Sequence, residues 1–275
     1  MFRRKKSADR ELRMVWEATR EGRASRLVGT AHFIPWSFRK SLERLVREAR
    51  VVYFEGPLEP EALQRVREAG RAGPGEHLFD SLPAAVVRGV GEALFPGCRA
   101  RRARSLLGAL GPDEPARSLV AGMKPWLAFF TLWSTYLERL GWKHSVDFEA
   151  YRLAGEMQRP PAFLETIEEQ IEVLESLPLE RIHRFLSHHE QWRRVAADYA
   201  EAYARGDLGG IRWLSLGFPT RHEPVIGRRD RLFLERAKPD LEEGGAVLFV
   251  GAPHIPGMVK RLTEEGYRVQ GPPQG

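Results

Sequence analysis

Two short stretches of the chain end in the same arrangement. "LVGTAH" runs from Leu27 to His32 and "LFVGAPH" from Leu248 to His254. Each is an apolar run closing on Gly-x-x-His, with an apolar residue and a proline just beyond. Two carboxylates occupy similar places: Glu55 ends "VVYFE", and Glu165 follows "AFL". In open α/β sheets, ligands bind where parallel strands end and loops lead into helices. If these strands share one sheet and one polarity, the four side chains converge. Two imidazoles and one or two carboxylates can hold a divalent metal and leave a position open for water. Such an ion lowers the pKa of bound water and polarises a carbonyl. Gly29 and Gly251 would let the backbone turn sharply and come close to a ligand. Each residue also has a plainer reading. A histidine after a strand can be a hydrogen-bonded corner, Glu55 can pair with an arginine, and Glu165 can serve a helix N-terminus. The remaining histidines, among them His183, His188, His189 and His222, read as structural or solvated. None of the spacings matches His-Glu-x-x-His or a cysteine-based zinc site.

The elements that must position these residues are legible as patterns. Leu12, Met14, Trp16 and Ala18 alternate with polar or smaller residues, and "REGR" supplies a turn into "SRLVGT", which predicts a β-hairpin. The return strand is apolar on both sides at Leu27 and Val28, as a central strand is. Residues 37–50 form an amphipathic helix and 51–55 a buried strand, completing a βαβ unit. Residues from about 60 to 145 read as mostly helical, with an aromatic stripe at Trp126, Phe129, Phe130 and Trp133. Thr166 and Glu169 have capping-box spacing, which sets Glu165 at a strand-to-helix corner. "AVLFV" is a buried strand, a helix over about 256–265 follows, and "YRVQ" is a last strand. The fold class is α/β: a central mixed β-sheet with flanking helices and a large helical insertion in the middle, in one domain over 1–275.

The chain has 275 residues, 43% hydrophobic and 29% charged, enough to bury a core. Its net charge of +6 comes from arginines spread along the sequence, with short clusters at "FRRKK" and "CRARRAR". No recognition-helix or RNP pattern accompanies them, so nucleic acid is not an expected partner. The single cysteine, Cys98, rules out a disulfide within the chain and fits a reducing compartment. "MFRRKKSADR" is not followed by a long apolar segment, and "PWLAFFTLW" is too short to span a bilayer. The expected location is the cytoplasm.

Taken in order, these motifs resemble the TraB/GumN family, related to the TIKI metalloproteases and more distantly to erythromycin esterases and ChaN-like haem-binding proteins. The resemblance covers most of the chain. It rests on the hairpin ending in Gly-Thr-x-His, on "ARVVYFEGPL" and "KPW", and on Asp147 before a helix. "FLETIEEQ" with Glu165, Thr166 and Gln170, then "GDLGGI", "GRRDRLF" and "FVGAPHIPGMVKRLTEEGYRV" complete it. Asp230 stands where the family's Arg-Asn step has Asn, and Pro253 where Gly is commoner, which stiffens that corner.

The resemblance implies an erythromycin-esterase- or ChaN-like α/β fold with both histidines and the glutamate at one site. In the TIKI branch it implies metal-dependent peptide cleavage with Mn or Co. In the esterase branch the equivalent histidine is a general base without an obligatory metal. TraB itself is associated with shutting down a peptide pheromone. The leading expectation is therefore a metal-dependent, peptidase-like hydrolase acting on a peptide or small molecule. His32, His254 and Glu55 would be metal ligands, and Glu165 a ligand or general base. Arg229, from the Arg-Asn step, would stabilise an oxyanion or orient a carboxylate. The alternatives are a metal-independent esterase-like hydrolase, or a non-catalytic protein sequestering a peptide, haem or hydrophobic ligand against the 126–140 aromatics.

Overall fold

The computed structural model describes residues 9–73, 77–96, 113–221 and 223–272. Both basic clusters, Cys98 and His222 lie outside the described residues. The chain opens with the expected hairpin, β1 (Val15–Arg20) and β2 (Arg23–Thr30), antiparallel with Arg20 opposite Arg23. Its two-residue turn has positive φ at both Glu21 and Gly22, the twist that suits a tight hairpin. Helix α1 (Arg39–Glu48) buries Leu42, Leu45 and Val46 and leads to β3 (Val51–Phe54). Much later come β4 (Pro161–Phe163), β5 (Ala246–Gly251) and β6 (Arg268–Gln270).

The strand order is β4-β3-β5-β2-β1-β6. Strands β4, β3, β5 and β2 run parallel, with Tyr53 opposite both Ala162 and Leu248, and Leu27 opposite Leu248. β5 lies between β3 and β2, and its first five residues are all buried, the apolar run of a parallel strand covered on both faces. Phe249 stacks on Phe54 with ring centroids 5.4 Å apart. The C-terminal ends of these four parallel strands lie along one edge, where the chain reaches His32, Glu55, Glu165 and His254.

The helices divide between two cores. Around the sheet pack α1, a helix at Val146–Glu156, the helix Trp192–Arg205, the long helix Glu223–Glu243 and the helix Ile255–Glu264. The second core is wholly helical. It draws on residues 78–137, as expected, but also on 177–196, so the helical part reaches beyond 145 in the chain. The aromatic stripe belongs to this second core. Trp126 and Phe129 are buried there, and Trp133 and Phe129 pack edge-on to Phe185 at 5.1 and 5.3 Å. Trp192 meets Trp133 at 5.5 Å. These rings mostly face one another, so the stripe is core first.

Thr166 caps the helix Ile167–Glu175 with a full capping box: its hydroxyl accepts from the Glu169 N–H, and the Glu169 carboxylate accepts from the Thr166 N–H. Arg236 grips the same Glu169 carboxylate through both Nη atoms, at 2.7 and 2.8 Å. The corner carrying Glu165 is thereby fixed from both sides.

Candidate active site

Backbone hydrogen bonds bring the two glutamates together. The N–H of Glu165 donates to the carbonyl of Glu55 at 2.7 Å, so the exits of neighbouring strands β3 and β4 are tied directly. Arg229 enters from the long helix Glu223–Glu243 and occupies the space between their side chains. Its Nε donates to Glu165 Oε2 at 2.8 Å, and its Nη2 to Glu165 Oε1 at 2.6 Å and Glu55 Oε2 at 2.8 Å. Gln170 adds a contact to Glu165 at 3.3 Å, and the Gly251 N–H donates to Glu55 Oε1 at 2.6 Å. The Glu165 side chain is fully buried (0% exposed), whereas Glu55 keeps 24% of its surface open.

The two carboxyls also differ in the groups that act on them. Burial pushes Glu55 up, but the charge of Arg229, with the Gly251 N–H, outweighs it and holds it at about 2. Burial dominates at Glu165, with the nearby Glu55 charge adding to it, and its pKa is raised despite the Arg229 clamp. Arg229 itself is raised, since its two carboxylates outweigh the cost of its burial.

His254 is held on the other side of the guanidinium. Arg229 Nη1 lies 3.2 Å from His254 Nε2, and Asp230 Oδ1 lies 2.7 Å from Nδ1. A guanidinium can only donate, so Nε2 accepts and the ring proton sits on Nδ1, where it donates to Asp230. Gly257 makes room for that carboxylate: a Cβ there would run into Asp230. Gly29 and Gly251 work in the same way and not as sharp turns, because neither has a positive φ. A Cβ on Gly29 would crowd the Ala252 backbone at 3.3 Å, and one on Gly251 would lie 3.2 Å from Glu55 Oε1. The left-handed backbone falls instead on Phe33 (φ 52°), the residue after His32, a costly conformation for an aromatic residue.

His32 follows the neighbouring strand β2 but is not bound to the Arg229 cluster. The loop after β2 is laced to residues 144–146: Ile34 N–H donates to the His144 carbonyl at 2.8 Å and Val146 N–H to that of Ala31 at 3.1 Å. This lacing brings Asp147, in the first turn of Val146–Glu156, to His32. Nδ1 lies 3.1 Å from Asp147 Oδ2 and 3.2 Å from Ser145 Oγ, and the Ser145 hydroxyl also donates to Asp147. Nε2 has no hydrogen-bond partner among the described residues. The ring lies within electrostatic reach of Glu55 and 6.3 Å from the exposed ring of Phe148. More than half of the His32 side chain (57%) stays open although protein surrounds the ring. The two Gly-x-x-His corners are therefore neighbours with different surroundings: His254 is buried in the cluster and His32 is open to solvent.

The surrounding protein pulls the His32 pKa down, but the charge and hydrogen bond of Asp147, with help from Glu55, outweigh it and raise it to about 9. A raised folded-state value means that the pairing supports the fold fully below the ordinary 6.5 and is lost as pH climbs through about 9. An NMR titration of the imidazole should give a His32 midpoint well above 6.5, and Asp147→Asn should bring it down. A wild-type midpoint at or below 6.5 would contradict the pairing.

The expected metal set of His32, Glu55, His254 and Glu165 does not fit a divalent ion as the side chains stand. Three of the four point lone pairs at the Arg229 guanidinium, which already supplies the positive charge. His32 pairs with Asp147 instead. Among the described residues, no group of three or more His, Cys, Asp or Glu side chains has an arrangement that could hold a metal. Of the two roles expected for Arg229, its geometry is that of orienting carboxylates. Sequence reasoning passed over Asp147 as a site residue and Asp230 as the partner of His254. The only available signals were Asp147's place before a helix and the Arg-Asp step.

Fold and cluster together define an α/β protein with an arginine-centred polar site at the C-terminal ends of its parallel strands. The sequence model of the TraB/PrgY/gumN family matches residues 14–271, and the chain belongs to that family. No curated protein and no solved structure matches it. Among the described residues, no helix is long and apolar enough to cross a membrane.

Proposed function

We propose that the protein hydrolyses an acyl bond, in an ester or a peptide, and that His32 takes the proton of the attacking water. The observation that carries this reading is the His32–Asp147 pair: Nδ1 is held by a carboxylate at 3.1 Å while more than half of the side chain stays exposed. An imidazole oriented through one nitrogen and free at the other is the arrangement general-base catalysis uses. Water attacks the carbonyl carbon as its proton passes to Nε2. The bond to the leaving oxygen or nitrogen then breaks, and the same proton returns to that atom. An acid and an alcohol or amine are released.

In this reading Glu165 and Arg229 are positioning residues. Glu165 is fully buried with both oxygens taken by the guanidinium, and Arg229 fixes Glu55, which stays partly exposed. No step is routed through a metal ion. With a single cysteine in the chain, we place the protein in the cytoplasm.

The test is hydrolysis of a panel of acetylated peptides and nitrophenyl esters by the full chain across a range of pH. Turnover should rise by about tenfold per pH unit through neutrality, as the free-base fraction of a group titrating at about 9 grows. An untouched panel, or rates that fall over that range, would contradict the proposal.

A further inference from the structure

We propose that Arg221 is the seat for a negatively charged group of the substrate, a carboxylate or phosphate held beside His254. The inference takes the ligand to be the substrate of the hydrolase reading, but the binding site stands on its own geometry. Arg221 and Arg229 flank the same corner with opposite degrees of satisfaction. Arg229 is saturated by Glu55, Glu165 and His254. The Nε of Arg221 is buried with no hydrogen-bond partner. Its Nη1 reaches only the carbonyl of Pro253, at a long 3.4 Å, and Pro253 directly precedes His254. No ion pair joins Arg221 to any carboxylate among the described side chains, which do not include that of Glu223. Of the groups around it, the Tyr199 phenol and Asp230 favour its charge and Arg212 opposes it, and the Oδ1 of Asp230 is held by His254. Burial accordingly pulls the Arg221 pKa below the usual arginine value.

Arg221 is also held in place. Its N–H donates to the Phe218 carbonyl at 3.0 Å. Arg181 donates to the carbonyls of Leu216, Phe218, Pro219 and Arg221 itself, the last at 2.7 Å. One arginine is thus spent on fixing the backbone that presents another. A guanidinium has five donors in a rigid fork suited to a planar carboxylate or a phosphate. Holding it partly out of water without a counter-charge is costly, and a ligand oxyanion is the group that would offset the cost. Because the Pro253 carbonyl joins Arg221 to the His254 corner, an anion bound there lies at the edge of the candidate site. A peptide with a free C-terminal carboxylate is the simplest substrate of this class.

The test measures equilibrium binding without turnover, in full-length protein carrying His32→Ala. The probes are acetyl-Ala-Phe with a free carboxylate, the same peptide as its C-terminal amide, and inorganic phosphate. The free acid should bind at least tenfold more tightly than the amide, and adding Arg221→Gln should erase the difference. Arg221→Lys should keep part of it. Phosphate binding that is lost in Arg221→Gln would also support the seat and would identify phosphate as its anion. The Arg221→Gln protein should melt no lower than its parent, since it loses an unpaired charge. The proposal is overturned if acid and amide bind equally and phosphate does not bind, if anion binding survives in Arg221→Gln, or if that variant melts several degrees lower, the mark of a purely structural arginine. Failure of the hydrolysis panel alone would leave these binding results unaffected.

Discussion

Arg229→Leu should cost the fold about 3–5 kcal/mol, the loss expected when one partner of a buried ion pair is removed and its counter-charges stay behind. Two carboxylates would remain, one with 0% of its side chain exposed and the other with 24%, and His254 Nε2 would lose its donor. Denaturant unfolding measures the loss, and pH should modulate it. At neutral pH both carboxyls must ionise without a counter-ion or take up protons, so the penalty is largest there. As pH falls through the ordinary carboxylate range, protonation relieves the variant while wild type begins to lose its Arg229–Glu55 attraction, and the two stabilities converge. Arg229→Lys should recover little, because one ammonium cannot reproduce bonds that leave from Nε, Nη1 and Nη2 in three directions. A fully stable Arg229→Leu protein at neutral pH would show that the cluster does not hold the strand ends together.

His32→Ala should behave in the opposite way, with little effect on the fold and a large effect on turnover. The ring is more than half exposed, so its pairing with Asp147 contributes at most about 1 kcal/mol to stability. Losing a positioned general base should lower kcat by about 10²–10⁴-fold. Asp147→Asn should also slow turnover at pH above about 9, where His32 is free base in both proteins, by a smaller factor, because the ring remains while its orientation and basicity change, and it should move the pH profile down. Arg229→Leu would disable the protein by loosening it, and His32→Ala by removing one proton acceptor from an intact fold. Wild-type turnover in His32→Ala would remove His32 from the mechanism.

What the sequence made legible follows from how local each signal is. The period-2 run from Leu12 to Ala18, the apolar run of Ala246–Val250 and the Thr166–Glu169 capping box all report on neighbours a few residues away, and each appears in the structure. The shared edge of β2, β3, β4 and β5 was legible only through the parallel-sheet rule. The pairings inside the site were not legible, since Arg229 meets Glu55 across 174 residues and Glu165 across 64. Nothing local to "GRRDRLF" says that one carboxylate it meets lies just past β3. Asp147 reaches His32 only because the loop after β2 is laced to residues 144–146. The glycines were read as turn-makers because type alone does not separate a positive φ from a need for space. The strain falls on Phe33, which no sequence pattern marks. That helical residues 177–196 share a core with 78–137 was not legible either, because they join it from across the β4 corner.

In the proposed mechanism a guanidinium, not a metal ion, is the cation among Glu55, Glu165 and His254, and His32 moves the proton beside it. Hydrolysis by protein stripped with chelator, before and after Mn or Co is added back, tests this most directly. Undiminished turnover in the stripped protein, with no Mn retained by magnetic resonance after exchange, is the result expected. A stripped protein that is inert until one equivalent of metal restores it would mean that Arg229 yields its place, and the account would fail.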